Sequence, residues 1–125
     1  MLGSDVMRGY NDMLILCLLL EGDSYGYAVS REIERRSGGE YPIKETTLYS
    51  AFGRLEKQGY IVPYQGSETQ GRPRTYYTIT DEGRKAYTAK CAEWLVLKAV
   101  VARFAKEETT DGIASDLCGG IVRPL

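Results

Sequence analysis

The sequence predicts a mainly α-helical fold with one small β-hairpin, on three observations. Apolar residues recur at three- and four-residue intervals through three stretches of the chain, and a fourth, Met13 to Leu20, is apolar throughout. After Gly59 this period gives way to two short runs rich in β-branched and aromatic residues, one holding Tyr60, Ile61, Val62 and Tyr64, the other spanning Thr75 to Thr80. The length of 125 residues suits one ordinary domain, and 43% apolar with 26% charged residues is the balance of a globular protein rather than a disordered one.

Met13 to Leu20, with Met7 and Tyr10 ahead of it, is apolar on nearly every side and predicts a first helix buried on more than one face. Ser4 or Asp5 is expected to cap its start and Gly22 to stop it. A second helix is expected from an N-cap at Ser24 to about Ser37. Its apolar stripe is Tyr25, Ala28, Val29 and Ile33, its water-facing side holds Glu32, Arg35 and Arg36, and Gly38-Gly39 ends it. Pro42 marks a turn. A third helix from about Lys44 to Gln58 carries Leu48, Ala51, Phe52 and Leu55 on one face and stops at Gly59. The polar stretch Gln65 to Arg74 separates the two β runs and is expected to be a long, mobile hairpin tip. Thr80 is expected to cap a fourth helix reaching about Lys106, with Asp81 and Glu82 in the first turn, where the helix dipole favours anions. Residues 107–125 have no clear period and are expected to be a frayed tail.

Composition excludes several kinds of chemistry. The chain has no histidine, the usual triad base and commonest zinc ligand. Its three cysteines, Cys17, Cys91 and Cys118, form no CxxC pair, so neither a disulfide framework nor a zinc cluster is expected. Neither phosphate-loop pattern, GxGxxG nor GxxxxGK[ST], occurs. No catalytic residue, metal or cofactor is expected. The longest apolar run, Met13 to Leu20, is far short of the roughly 20 residues that span a membrane, and no secretory signal is evident. The expected location is the cytoplasm.

The formal charge of −1 conceals an uneven layout. Residues 1–30 hold one base and four acids, whereas residues 31–90 hold eleven bases and eight acids. A polyanion would be met in the middle of the chain. Helix, helix, helix, hairpin, long helix is the order of a winged helix-turn-helix domain, assigned to residues 5–80, followed by a dimerisation helix over 81–106. In such a domain the third helix fits the major groove of B-DNA and the hairpin stands beside it as a wing.

Opposite its apolar face the third helix carries Thr46, Thr47, Ser50, Gly53, Arg54 and Lys57, with Tyr49 at the margin. Small hydroxyls allow close approach to DNA while bonding to phosphates or base edges, and the two cations supply charge. A solvated helix face fits the same pattern, and Tyr49 equally fits the core. In Gly71-Arg72-Pro73-Arg74 two guanidinium groups stand on the wing, and the planar fork of arginine suits phosphate and a narrow minor groove. Charged tips also serve solubility.

On the fourth helix Tyr87, Cys91, Trp94, Lys98, Val101 and Ala105 form a long stripe beside Leu95, Leu97 and Phe104. A small domain cannot cover it alone, so a twofold dimer is expected, presenting two reading helices to a palindromic site about one helical turn, roughly 34 Å, apart. Trp94 serves either as an interface anchor or as a stacking platform for a flat aromatic effector.

The residues then resemble a known family. Leu14 to Gly22, Tyr25-Gly-Tyr27, Thr47-Leu-Tyr49, Arg54-Leu-Glu56, Gly59-Tyr-Ile61, Gly71-Arg-Pro-Arg74, Tyr77 and Thr80-Asp-Glu-Gly83 follow the pattern of the PadR transcriptional regulators over about residues 10–87. The single helix after the wing resembles the compact subfamily. The resemblance implies a homodimeric repressor that leaves its operator when a small, often planar aromatic, molecule binds. Lys44, Thr46, Thr47, Tyr49, Ser50, Arg54, Lys57, Arg72 and Arg74 would then meet double-stranded DNA. Tyr10, Met13, Cys17, Tyr87, Cys91, Trp94 and Val101 would line the dimer interface or an effector cavity. The chain departs from the family pattern at Ser50, Phe52 and Gly53, where proline, leucine and a base are common; glycine there costs a helix about 1 kcal/mol relative to alanine. The alternative is a winged-helix module that binds protein rather than DNA.

Overall fold

The structure, a computed structural model, describes residues 1–69 and 72–106, the side chains of 67–69 and 72 excepted. The expected tail 107–125, with Cys118, and Gly71 at the wing tip lie outside the described residues. The chain divides into two compact units, residues 1–90 and the part from Cys91 onward.

In the first unit, α1 (Ser4–Met7) and α2 (Asn11–Leu20) replace the single first helix expected from the sequence. The break falls at Arg8-Gly9-Tyr10, where glycine weakens a helix interior. Neither Ser4 nor Asp5 caps it; the N-cap of α1 is Gly3, with no side-chain bond. In α2, Ile15, Leu16, Leu18 and Leu19 are all buried, as an apolar helix requires. Each such side chain contributes roughly 1.5–3 kcal/mol on leaving water.

Ser24 is likewise not an N-cap. Ser24 and Tyr25 form a short strand, β1, and α3 (Gly26–Arg36) starts only afterwards. The cause is tertiary, since Ser24 and Tyr25 pair with Tyr77 and Tyr76 across the sheet. From α3, Val29 and Ile33 enter the core. Its outer face is held by ions: Arg36 binds Glu21 beyond α2 and also Glu32, while Arg35 binds Glu32 at 2.5 Å. The bonds from Arg35 and then Arg36 pull the Glu32 carboxyl down to about 2.

Next, α4 (Glu45–Lys57) buries Leu48, Ala51, Phe52 and Leu55, the four residues its period singled out. Gly59, at φ 80°, ends the helix in a left-handed turn that glycine adopts without strain. Strands β2 (Ile61–Thr69) and β3 (Arg72–Ile79) are antiparallel, and the sheet order is β1-β3-β2. The expected ten-residue tip is therefore mostly strand. Backbone pairing carries polar residues such as Gln65 and Thr75, and Gly66 leaves room for the Tyr76 ring against its Cα.

Thr80 does cap α5 (Asp81–Ala102), accepting the Gly83 N–H at 3.0 Å and donating to the Gly59 carbonyl at 2.7 Å. Gly83 is buried against the Tyr60 carbonyl, with no room for a Cβ. Ala86 and Tyr87 still pack on the core, so the first part of α5 belongs to the first unit. The helix ends at Ala102, short of Lys106, and a turn at Arg103 and Phe104 follows. This is a winged helix-turn-helix fold.

In the second unit, the helix from Cys91 to Ala102 has no buried residue; Leu95, Val96, Val100 and Val101 are 43 to 65% exposed and Trp94 is 38% exposed.

Candidate nucleic-acid interface

Because one face of α4 is sealed into the core, the other is presented outward at fixed orientation. Lys44, Thr46, Ser50, Gly53, Arg54 and Lys57 are exposed and Thr47 is half-buried. Thr46, Thr47 and Ser50 line one side of a polar groove of about 340 Å³, with Ser4, Arg8 and Asn11 from α1, α2 and their junction on the other and Arg54 also in its wall. The groove offers hydroxyl and amide groups that can donate or accept, together with two guanidinium groups.

Arg54 is not a loose cation. Its Nη2 donates to Asp12 Oδ1 at 2.5 Å and its Nε to Oδ2 at 3.4 Å, and these bonds raise the guanidinium pKa further. Beneath the groove the Asn11 side chain is buried and accepts a bond from the Tyr41 hydroxyl at 2.6 Å, with burial pushing the Tyr41 pKa up. Asn11 and Asp12 were not singled out by the sequence. A polar pair opening an apolar helix was the only local signal, and it does not name partners 30 and 42 residues away.

Tyr49 takes an intermediate place between the two readings of it. Its ring meets Phe52 edge-on at 5.6 Å and its hydroxyl end rests on Gly26, yet the residue is 47% exposed.

The wing carries an aromatic row. Tyr25, Tyr76 and Tyr64 lie opposite one another on β1, β3 and β2, with ring centroids 5.3 and 5.8 Å apart. Asp23 accepts the Tyr64 hydroxyl at 2.7 Å and holds its proton on, raising the Tyr64 pKa. Arg74 does not project from a tip. It is paired with Gly66 in the ladder, and its Cζ sits 4.0 Å from the Tyr25 ring centroid, because a guanidinium stacks favourably on an aromatic face. The Arg72 backbone belongs to β3, but its side chain lies outside the described residues.

The remaining expected residues fall in different units. Tyr10, Met13, Cys17 and Tyr87 are half-buried in the first, where Cys17 lines an apolar cavity of about 210 Å³ with Leu14, Leu18 and Ile33. In the second unit Cys91 is half-buried, while Trp94 and Val101 are exposed. Among the described residues there is no group of His, Cys, Asp or Glu that could hold a metal ion, and no helix long and apolar enough to cross a membrane.

Residues 15–89 match the Transcriptional regulator PadR-like family. The structure is similar to that of a transcriptional regulator from Clostridium thermocellum, 57% identical, covering 85% of this chain and 100% of that one with a TM-score of 0.78. An uncharacterized protein X of Lysinibacillus sphaericus is 42% identical over 104 residues, 83% of this chain and 95% of that protein. The fold also resembles that of Bacillus subtilis PadR in complex with operator DNA, 21% identical, covering 95% of this chain and 61% of that one with a TM-score of 0.58.

Proposed function

The chain belongs to the PadR-like family of transcriptional regulators, and on that premise we propose that it is a repressor binding a palindromic operator as a homodimer. Its class is regulator, not enzyme. The observation that carries the reading is the split character of α4, sealed on one face and lined with hydroxyls and cations on the other. Such a helix can enter a major groove without unpacking anything. Thr46, Thr47, Tyr49, Ser50 and Arg54 would face base edges, and Lys44 and Lys57 the flanking phosphates. Arg72 and Arg74 would hold the backbone or minor groove from the wing, Arg74 with its stacking on Tyr25 as a brace.

Dimerisation through α5 is supported by the aliphatic side chains left in water beyond Cys91, which a second copy would cover. Trp94 would stack on a planar aromatic effector there, and unequal affinity of that molecule for two dimer shapes would release the operator. The repressor would act in the cytoplasm.

The test is the double substitution Arg72→Ala with Arg74→Ala, followed by gel shift on DNA upstream of the protein's own gene across a salt series. A large affinity loss and a shallower salt slope are expected. DNA affinity equal to that of the parent would count heavily against the wing assignment, and a parent that binds no DNA would favour a winged-helix module that binds protein. Titrating planar aromatics against the fluorescence of Trp94, the single tryptophan, tests the effector; silence across a broad panel with DNA binding intact makes Trp94 a packing residue.

A further inference from the structure

We propose that Asp12 is a positioning residue that sets DNA sequence specificity, by withholding the Arg54 charge from phosphates and aiming the rest of its guanidinium at a base edge. This rests on the reading of α4 as the DNA-facing helix. The two residues come from different helices, 42 positions apart, and meet at the wall of the polar groove beside Ser50. The Asp12 side chain is only 14% exposed and that of Arg54 47% exposed, so the carboxylate lies below and the cation on top.

Both carboxylate oxygens meet the same edge of the guanidinium, the one made by Nε and Nη2. An arginine has five N–H donors in a rigid plane. Two are committed to Asp12, and the other three leave the Nη1/Nη2 end as a two-donor edge. That edge is the shape that matches O6 and N7 of guanine in the major groove.

The pairing also changes what the residue does to any DNA at all. An unpaired arginine on this face would neutralise whichever phosphate it reached, adding to sequence-independent attraction. Tied to a carboxylate, the pair has no net charge, and the half-sunk anion repels a phosphate that tries to replace it. The arginine is thereby fixed in direction and stripped of most of its non-specific pull. Lys57, one turn further on and exposed, has no such restraint among the contacts described and would serve the backbone. An ion pair that merely fastened α2 to α4 would affect stability and leave DNA discrimination alone, which separates the two roles.

The experiment selects preferred duplexes from a random pool with the parent protein, then measures anisotropy of a preferred and a scrambled duplex over a salt series. Asp12→Asn should bind the scrambled duplex more tightly, with the slope of log K against log salt steeper by up to about 0.9, one phosphate's worth. Its preference for the selected duplex should fall by about fivefold to a hundredfold, the range of one bidentate base contact. Arg54→Lys, which keeps a cation over Asp12 but loses the planar fork, should lose the same preference while its scrambled affinity stays near that of the parent. If Asp12→Asn does not fold, Asp12→Ser takes its place, because Arg54→Lys reports the base contact and only a change at Asp12 reports its positioning. Parent-like preference in the folded variants overturns the proposal and leaves the DNA reading standing, as does a parent that binds duplexes without preference. A parent that binds no duplex overturns both.

Discussion

Between Ile15 and Leu19, α2 hides four aliphatic side chains from water, whereas α5 between Leu95 and Val101 leaves Leu95, Val96, Val100 and Val101 at 43 to 65% exposed. Both segments are built from the same kinds of residue. What separates them is company: α2 is surrounded by α3, α4 and β3, while no residue of α5 beyond Gly83 is buried. Hydrophobic residues therefore state a demand for burial, and the fold decides whether one chain can meet it. In α2 it is met inside the unit; in distal α5 the described residues leave it unmet, and the proposed second copy would meet it.

The largest effect should come from opposing the two segments directly. Leu16→Ala should lower stability by about 2–5 kcal/mol in urea denaturation, with a loss independent of protein concentration, since it opens a cavity in a fully buried site. Val101→Glu combined with Leu95→Glu should leave the first unit folded by circular dichroism but convert a dimer to monomer in sedimentation equilibrium. A wild-type protein that sediments as a monomer at micromolar concentrations would break the contrast.

A smaller effect should appear where the core hands over to α5. Thr80→Ala removes the Oγ1 that caps Gly83 and ties Gly59, and should cost about 1–2 kcal/mol, with Thr80→Ser restoring most of it. The urea midpoint should fall with an unchanged slope. A null result would mean that the handover depends on Gly83 packing alone.

The smallest effect concerns the ionic outer face of α3. Glu32 is held at about 2, below its ordinary 4.5, chiefly by its bonds to Arg35 and then Arg36. Folding then favours the charged form, so the contribution is complete above about pH 4.5 and is lost as pH falls towards 2. Thermal melts between pH 7 and 2 should show a shallower acid limb for Glu32→Gln than for the parent. The Glu32 side chain is 31% exposed and its two arginine partners are more open still, so the difference is modest and shrinks in salt.

Much of this was legible in the chain because it depends on neighbours in sequence. The buried face of α4, its Gly59 stop and the Thr80 cap all follow from spacings of one to four residues, where helix geometry alone fixes who meets whom. The strand at Ser24 and Tyr25 was not, since two residues become a strand only when Tyr76 and Tyr77 lie alongside. The wing strands reach into a polar stretch for the same reason: their ladder uses backbone groups, which carry no sequence signature. In the candidate site, Thr46, Ser50 and Arg54 could be picked out by facing away from the apolar stripe. The partner of Arg54 could not, and neither could the Tyr25 ring that holds Arg74.

The sequence by itself therefore determined the order of the longer helices and the two wing strands and the buried faces of α3 and α4, because periodicity is read within a few residues. Only the tertiary structure decided which charges are already matched and which apolar surface stays in water. Both depend on side chains brought together from distant positions, at separations where a linear pattern has no geometry to offer.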